Sequence, residues 1–343
     1  MARSAVTVES GSFLGDTASV DWDINFRSDN LYFGTVGGNS QTPTGKLYKM
    51  AGVEATDTAI EVLNAGGPII NAPSVTLDES GNRWLYGGTG RYFVSGGTAE
   101  TNDKQSSAQQ SYFGVIDRLP TASSTVTDAS YDTALPRSYS SLVNTSSAVV
   151  LRDGTVSGVA DLTSTELPDS ALPGLTTAQR TEERRNNTET NLIRAARLKK
   201  GWRINLASGT PSERLVSRTA LFGDILFTTP FTPSPTLCQG EGSSRLAGVY
   251  FKSGAPRAAL PTFGTITNNT ATLDDDQIIG SVTLGQGLAA GVALHMNANN
   301  SIATSQLTAI SQTSTAALTS TDVTVGAGAR SGEIDWRDSR RNR

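Results

Sequence analysis

Short apolar runs, each closed by a glycine- or aspartate-containing turn, recur along most of the chain, and this punctuation constrains the fold more than any other feature. Runs of about four to eight residues rich in Val, Ile, Tyr, Phe and Thr read as strands rather than helices. Leu31-Tyr-Phe-Gly-Thr-Val-Gly-Gly38 is followed by Gly45-Lys-Leu-Tyr-Lys-Met50. Ser74-Val-Thr-Leu77 passes through Asp78-Glu-Ser-Gly-Asn82 into Arg83-Trp-Leu-Tyr-Gly-Gly88, and Gln110 to Asp117 is another strand. Asp153-Gly154 predicts a hairpin with a type I′ turn, and Gly223-Asp224 predicts a second. Arg245-Leu-Ala-Gly-Val-Tyr-Phe251 precedes a Lys-Ser-Gly turn.

The strongest inner strands are spaced by about 50–75 residues, whereas radially repeated four-stranded sheets recur at about 40–50. The expected fold class is therefore all-β: an irregular β-propeller, or the later blades of one, with four or five blade-like units and long insertions. A length of 343 residues accommodates this as a single domain over 1–343. The Ser/Thr/Gly-rich stretches 93–109, 119–142 and 297–326 read as insertions, either solvated connections or exposed binding surfaces.

One segment breaks the β pattern. Thr176-Thr-Ala-Gln179 fits a capping box, and Gln179 to Leu198 lacks Gly and Pro. Lys199, Lys200 and Gly201 then supply cations and a glycine stop. These signals predict one inserted α-helix near residues 177–200. Arg180, Arg184, Arg185, Arg194 and Arg197 are interleaved with Glu182, Glu183 and Glu189, which favours a solvated helix over a nucleic-acid surface. Leu192, Ile193 and Leu198 are its expected anchors to the core.

Composition excludes several function classes. With 17% charged residues and a net charge of -4, the chain as a whole carries no nucleic-acid footprint. Cys238 is the single cysteine, so no internal disulfide forms. His295 is the single histidine, and its setting, Val292-Ala-Leu-His-Met296, is that of a strand residue rather than a triad member or zinc ligand. No run approaches the ~20 apolar residues of a membrane-spanning helix. The low-charge, Gly- and Ser/Thr-rich balance suits an extracellular β protein. The N-terminus lacks the apolar core of a signal peptide, so an exported form would be a mature fragment.

The candidate site is Asp21-Trp-Asp23-Ile-Asn25-Phe-Arg27-Ser-Asp29, immediately before the strand that opens at Asn30. Asp21, Asp23 and Asn25 stand at positions 1, 3 and 5 of a calcium loop, Arg27 at position 7 offers its carbonyl, and Asp29 closes at position 9. Alternating hard oxygen donors suit Ca2+; a polar turn entering a strand uses the same residue types.

Several phrases together resemble the C-terminal β-propeller of the PilC/PilY family of type IV pilus biogenesis factors and tip adhesins. They are Val20 to Gly34, Gly45-Lys-Leu-Tyr48, Trp84-Leu-Tyr-Gly-Gly-Thr-Gly-Arg-Tyr92, Gln110-Ser-Tyr-Phe-Gly114 and Gly201-Trp-Arg-Ile-Asn-Leu206. A longer block runs from Glu213-Arg-Leu-Val-Ser217 through Phe227-Thr-Thr-Pro-Phe-Thr-Pro233 to Cys238, followed by Gly242-Ser-Ser-Arg-Leu246 and Ile334-Asp-Trp-Arg337. The resemblance implies a seven-bladed, irregular propeller with a calcium loop at Asp21, Asp23, Asn25, Arg27 and Asp29. It further implies that calcium occupancy biases pilus extension against retraction, and that the propeller sits with minor pilins at the filament tip, on the cell surface. Phe26 departs from the pattern, because it stands where such loops have glycine; a bulky residue at positive φ is costly and predicts a reshaped, weaker loop. The resemblance also begins almost at residue 1, so a second chain is expected to complete the ring by pairing with its open strand edges.

The resemblance implies a non-enzymatic assembly factor or adhesin module, with no catalytic residues. A quinone-cofactor dehydrogenase on the same scaffold is the alternative from another class, and Asp274-Asp275-Asp276 is its nearest metal-binding feature; consecutive acids of this kind usually mark a solvated turn. A filament subunit closed by strand exchange is the third reading.

Overall fold

The computed structural model describes residues 7–51, 59–94, 102–117, 135–164, 167–169, 172–235, 242–266, 276–296 and 304–326. Cys238, Asp274, Asp275, most of the 119–142 insertion and Ile334 to Arg337 lie outside them. The chain is mostly β, with 45% of residues in strands against 11% in helices, as its punctuation predicts.

The first two sheets follow one plan. Phe13–Val20, Asn30–Gly38, Lys46–Ala51 and Ile60–Asn64 form an antiparallel meander, and the short strand Arg137–Ser138 joins its far edge in parallel. Ser74–Leu77, Arg83–Gly88, Ser111–Asp117 and Gly201–Asn205 repeat that meander, with Val143–Asn144 added in parallel. The third sheet centres on Gly242–Tyr250, flanked by Ile225–Thr228, Phe231–Pro233 and Ser281–Gln286, with Ala220–Phe222 at its edge.

A fourth sheet contains Ala293–Met296, Thr304–Gln312 and Leu318–Gly326. It corrects the reading of 297–326 as an insertion, since residues 304–326 form a paired hairpin. Leu307-Thr-Ala309 and Val323-Thr-Val325 alternate, burying the apolar residue of each pair, and this period of two was hidden by the abundance of Ser and Thr.

Alternation also explains how the sheets stack. On Arg83–Gly88, Trp84 and Tyr86 enter one apolar cluster while Leu85 enters another; on Ser111–Asp117, Tyr112 and Ile116 separate from Phe113 and Val115 in the same way. On Ile225–Thr228, Leu226 packs toward the second sheet and Ile225 and Phe227 toward the fourth. The second and third sheets are thus apolar on both faces, and three successive cores join the four sheets in chain order. Trp202 occupies the middle core, stacked with Tyr86 at 6.1 Å and edge-on to Tyr112 at 5.3 Å, and its Nε1 donates to the Phe251 carbonyl at 2.8 Å. Its indole fits only because Gly114 has no side chain: a Cβ there would stand 2.6 Å from the ring.

The expected single helix over 177–200 is corrected to two, α2 (Thr177–Arg185) and α3 (Glu189–Leu198), preceded by a short α1 (Ala160–Ser164). The Thr176/Gln179 capping box forms as predicted. The break falls at Asn186-Asn187-Thr188, where Thr188 caps α3 by accepting the Asn191 N–H, and the Asn191 amide donates to the carbonyls of Glu183 and Asn186. Side chains that compete for backbone groups favour such a new cap over helix continuation. Leu192 is fully buried and Ile193 half-buried, but Leu198 is exposed rather than an anchor. Four of the helical arginines pair within the protein: Arg180 and Arg184 with Asp169, Arg194 with Glu183, and Arg197 with Glu79.

Glu79 bridges α3 to the third sheet, accepting from Arg197 and Lys252. Desolvation pushes its carboxyl up, but Lys252, its own backbone N–H and Arg197 outweigh this and hold it at about 2. A folded-state pKa below the unfolded value stabilises above about pH 4.5, and the contribution fades as the pH falls toward 2. The Glu79 side chain is largely solvent-exposed, so Glu79→Gln should cost only about 0.5–1 kcal/mol at pH 7. Urea unfolding at pH 7 and at pH 2–3 checks this: the gap between variant and parent closes in acid, and a gap that widens refutes it.

Candidate metal centre

Residues 21–29 leave the first sheet after Val20 and return to it at Asn30, and the Asp29 N–H donates to the Val20 carbonyl at 2.8 Å to close the loop. Inside, the side chains fold inward on the backbone. Asp21 accepts the N–H groups of Asn25 at 3.2 Å and Phe26 at 2.6 Å. Asp23 accepts the Asn25 N–H at 3.2 Å and its side-chain amide at 2.8 Å, while Asn25 Oδ1 accepts the Arg27 N–H at 2.9 Å. Asp29 Oδ2 accepts the Trp22 N–H at 2.6 Å.

The outcome is convergence: one carboxylate oxygen from each of Asp21, Asp23 and Asp29 lies within 4.8 Å of the other two. Like charges this close repel unless hydrogen-bonded or bridged by a cation. Desolvation pushes the Asp21 carboxyl up, yet the Phe26 and Asn25 N–H groups and its neighbour Asp23 hold it below the usual aspartate range. The converging donors are carboxylate oxygens, without sulfur or imidazole, which suits a hard divalent cation. Asp21, Asp23 and Asp29 could therefore share a metal ion, while the Asn25 amide is engaged with Asp23 and with the Arg27 N–H of the same turn.

Phe26 adopts the left-handed conformation that is costly for a bulky residue, with φ of 68°, and Ile24 does so too, with φ of 59°. Both side chains point to solvent, 76% and 65% exposed, so neither meets a steric obstacle beyond its own backbone. Left-handed geometry at a residue with a Cβ costs about 1–2 kcal/mol, offset here by the Asp21 and Asp23 hydrogen bonds to the same turn.

Behind the loop lies a buried polar network that reading the sequence missed. Asn30 Oδ1 accepts from Arg83 Nη1 at 2.9 Å, and the Arg83 guanidinium lies 4.9 Å from the Trp22 ring centroid. Tyr32 Oη donates to Asp117 Oδ2 at 2.9 Å, and Lys49 Nζ, fully buried, donates to Asp117 Oδ1 at 2.7 Å. The available signal was period two: Lys49 shares a strand face with Leu47, and Asp117 shares one with Val115. Burial, with the Asp117 carboxylate beside it, pushes the Tyr32 phenol well above its ordinary value. Tyr32 also stands at position 12, where a twelve-residue calcium loop carries a bidentate glutamate, so this loop relies on its first nine residues.

The remaining candidates among the described residues do not join the site. His295 is exposed on Ala293–Met296 opposite Thr308. Asp276 is buried rather than solvated, and its Oδ2 accepts from Thr265 Oγ1 at 3.5 Å. Among the described residues, Asp21, Asp23 and Asp29 are the only acidic, cysteine or histidine group close enough to share a metal. No protein-family model, curated protein or solved structure matches the chain.

Proposed function

We infer that the chain is a non-enzymatic, calcium-responsive module of the PilC/PilY kind: a β-propeller-type domain that works in type IV pilus assembly or adhesion at the filament tip. The observation that carries the calcium part is the convergence of three carboxylates on a loop already folded around them. Asp21, Asp23, Asn25 and Asp29 hold the ion with their side chains and Arg27 with its carbonyl. Bound calcium neutralises the carboxylate repulsion and stiffens the turn.

The propeller reading draws support from the repeated antiparallel meander of the first two sheets and from consecutive sheets stacked face to face. The reading that a second chain pairs with this one draws support from Phe13–Val20, an outer strand with Phe13 and Leu14 more than half exposed. Minor pilins at a tip complex are the partners proposed on the family resemblance, with a cell-surface location to match.

Calorimetric titration with calcium and separately with magnesium tests the site. Calcium should bind at one equivalent per chain and more tightly than magnesium, which demands a near-ideal octahedron that this open loop lacks. Absence of heat, together with an unshifted melting temperature in millimolar calcium, would remove the calcium reading.

A further inference from the structure

We propose that the cleft between the second and third sheets binds a neutral, polyhydroxylated ligand, a short saccharide. The cleft is separate from the Asp21–Asp29 loop and does not rest on the calcium reading. Its volume is about 550 Å3, within the range of small-molecule sites and far larger than the gaps left between packed sheets.

Register shows which groups face it. Tyr112 lies opposite Ile204 on the second sheet, and Thr228 lies opposite Ala247 on the third; in an antiparallel pair, directly opposed residues point to the same side. All four line the cleft. Thr228 also falls on the same side of its strand as Leu226, which packs toward the second sheet, while Phe227 between them packs toward the fourth. The Thr228 side chain thus faces the cleft from the third sheet. Its hydroxyl is buried, with the residue 1% exposed, and has no hydrogen-bond partner. A buried hydroxyl left unpaired is costly, and a ligand atom in the cleft would satisfy it.

The chemistry of the lining selects the ligand class. Arg245 and Glu213 are its only oppositely charged groups, and they neutralise each other through two hydrogen bonds, Nε to Oε1 at 2.6 Å and Nη2 to Oε2 at 2.9 Å. A charged ligand therefore finds no spare counter-charge. The other polar groups, among them Thr228, Gln277 and Ser281, are hydroxyls and amides that both donate and accept. Sugar hydroxyls do the same. Aliphatic surface from Ile204, Val249 and Ile278 suits the C–H faces of a pyranose.

The test is saturation-transfer NMR and calorimetry on the full chain. Its probes are glucose, galactose, N-acetylglucosamine and lactose, with glucuronate and N-acetylneuraminate as charged counterparts. At least one neutral sugar should bind, and the charged sugars more weakly. The same sugar conjugated to a carrier protein distinguishes a free saccharide from a glycoconjugate, and binding of either form supports the proposal. Thr228→Val keeps the shape and removes only the unpaired hydroxyl, so it should leave the melting temperature unchanged or raised and weaken binding about five- to tenfold. Gln277→Ala, at a half-buried position, gives a second reading of the same cleft and should weaken binding to a similar degree. Failure of every neutral sugar to bind, a preference for charged sugars, or binding that neither substitution weakens would overturn the proposal.

Discussion

Asp117→Asn should destabilise the protein by about 3–5 kcal/mol, the effect of breaking a buried ion pair from one side. The reason lies with Lys49, whose ammonium is fully buried and donates a hydrogen bond to Asp117 Oδ1 at 2.7 Å. An amide in place of the carboxylate removes the negative charge that lies 2.7 Å from that buried cation. Lys49→Met should cost less, because Asp117 would keep the Tyr32 hydroxyl at 2.9 Å and has Arg83 directly opposite on the neighbouring strand. Removing both members of the pair, in Lys49→Met/Asp117→Leu, should cost clearly less than the sum of the single substitutions, since neither Lys49 nor Asp117 is then left buried without the other. Urea unfolding of the three variants gives the values. An Asp117→Asn variant within 1 kcal/mol of the parent would mean that water reaches the pair.

Asp21→Ala/Asp23→Ala should lower calcium affinity by at least about a hundredfold, because it leaves Asp29 as the only carboxylate of the three. The expected magnitude follows from the ligand set: one carboxylate and one amide oxygen cannot replace the hydration shell of a divalent cation. Stability supplies an independent reading. Calcium at about one hundred times its dissociation constant adds ~2.7 kcal/mol to a protein that binds it only when folded, and this increment should vanish in the variant. Without calcium, the two proteins should differ by no more than about 1 kcal/mol, since the lost hydrogen bonds belong to an exposed turn. Calorimetry and thermal melts with and without calcium read both quantities. Unchanged affinity in the double variant would show that any bound calcium sits elsewhere.

The pattern of success in reading the chain has a physical basis. Hairpins whose turns need positive φ were legible, and Gly223-Asp224 forms the expected type I′ pair, with φ of 54° and 69°. Asp153-Gly154 joins its two strands as expected, but with positive φ at Gly154 alone, because Asp153 instead spends its carboxylate on the Thr155 N–H and hydroxyl. Helix content was legible from the capping box, whereas the break at Thr188 was not: it depends on Asn191 reaching back to Glu183 and Asn186, and isolated propensities do not encode that. The loop carboxylates could be read because consecutive ligands lie close in sequence. Lys49 and Asp117 meet across two sheets, and no local pattern pairs a lysine with an aspartate that far along the chain.

One feature of the second sheet bears on how the chain is made. Its third strand ends at Asp117 and its fourth begins at Gly201, with α1, α2 and α3 between them. During synthesis, Ser74–Leu77, Arg83–Gly88 and Ser111–Asp117 therefore leave the ribosome well before the strand that completes their sheet. Until Trp202 emerges, the faces of Trp84, Tyr86 and Tyr112 lack their central partner, and the Ser111–Asp117 edge has no neighbour. Long-range closure of this kind is slow, and an open, aromatic-rich strand edge is a template for pairing with other nascent chains. The nascent chain's demand for chaperone protection should peak in that interval and fall once Gly201–Asn205 docks.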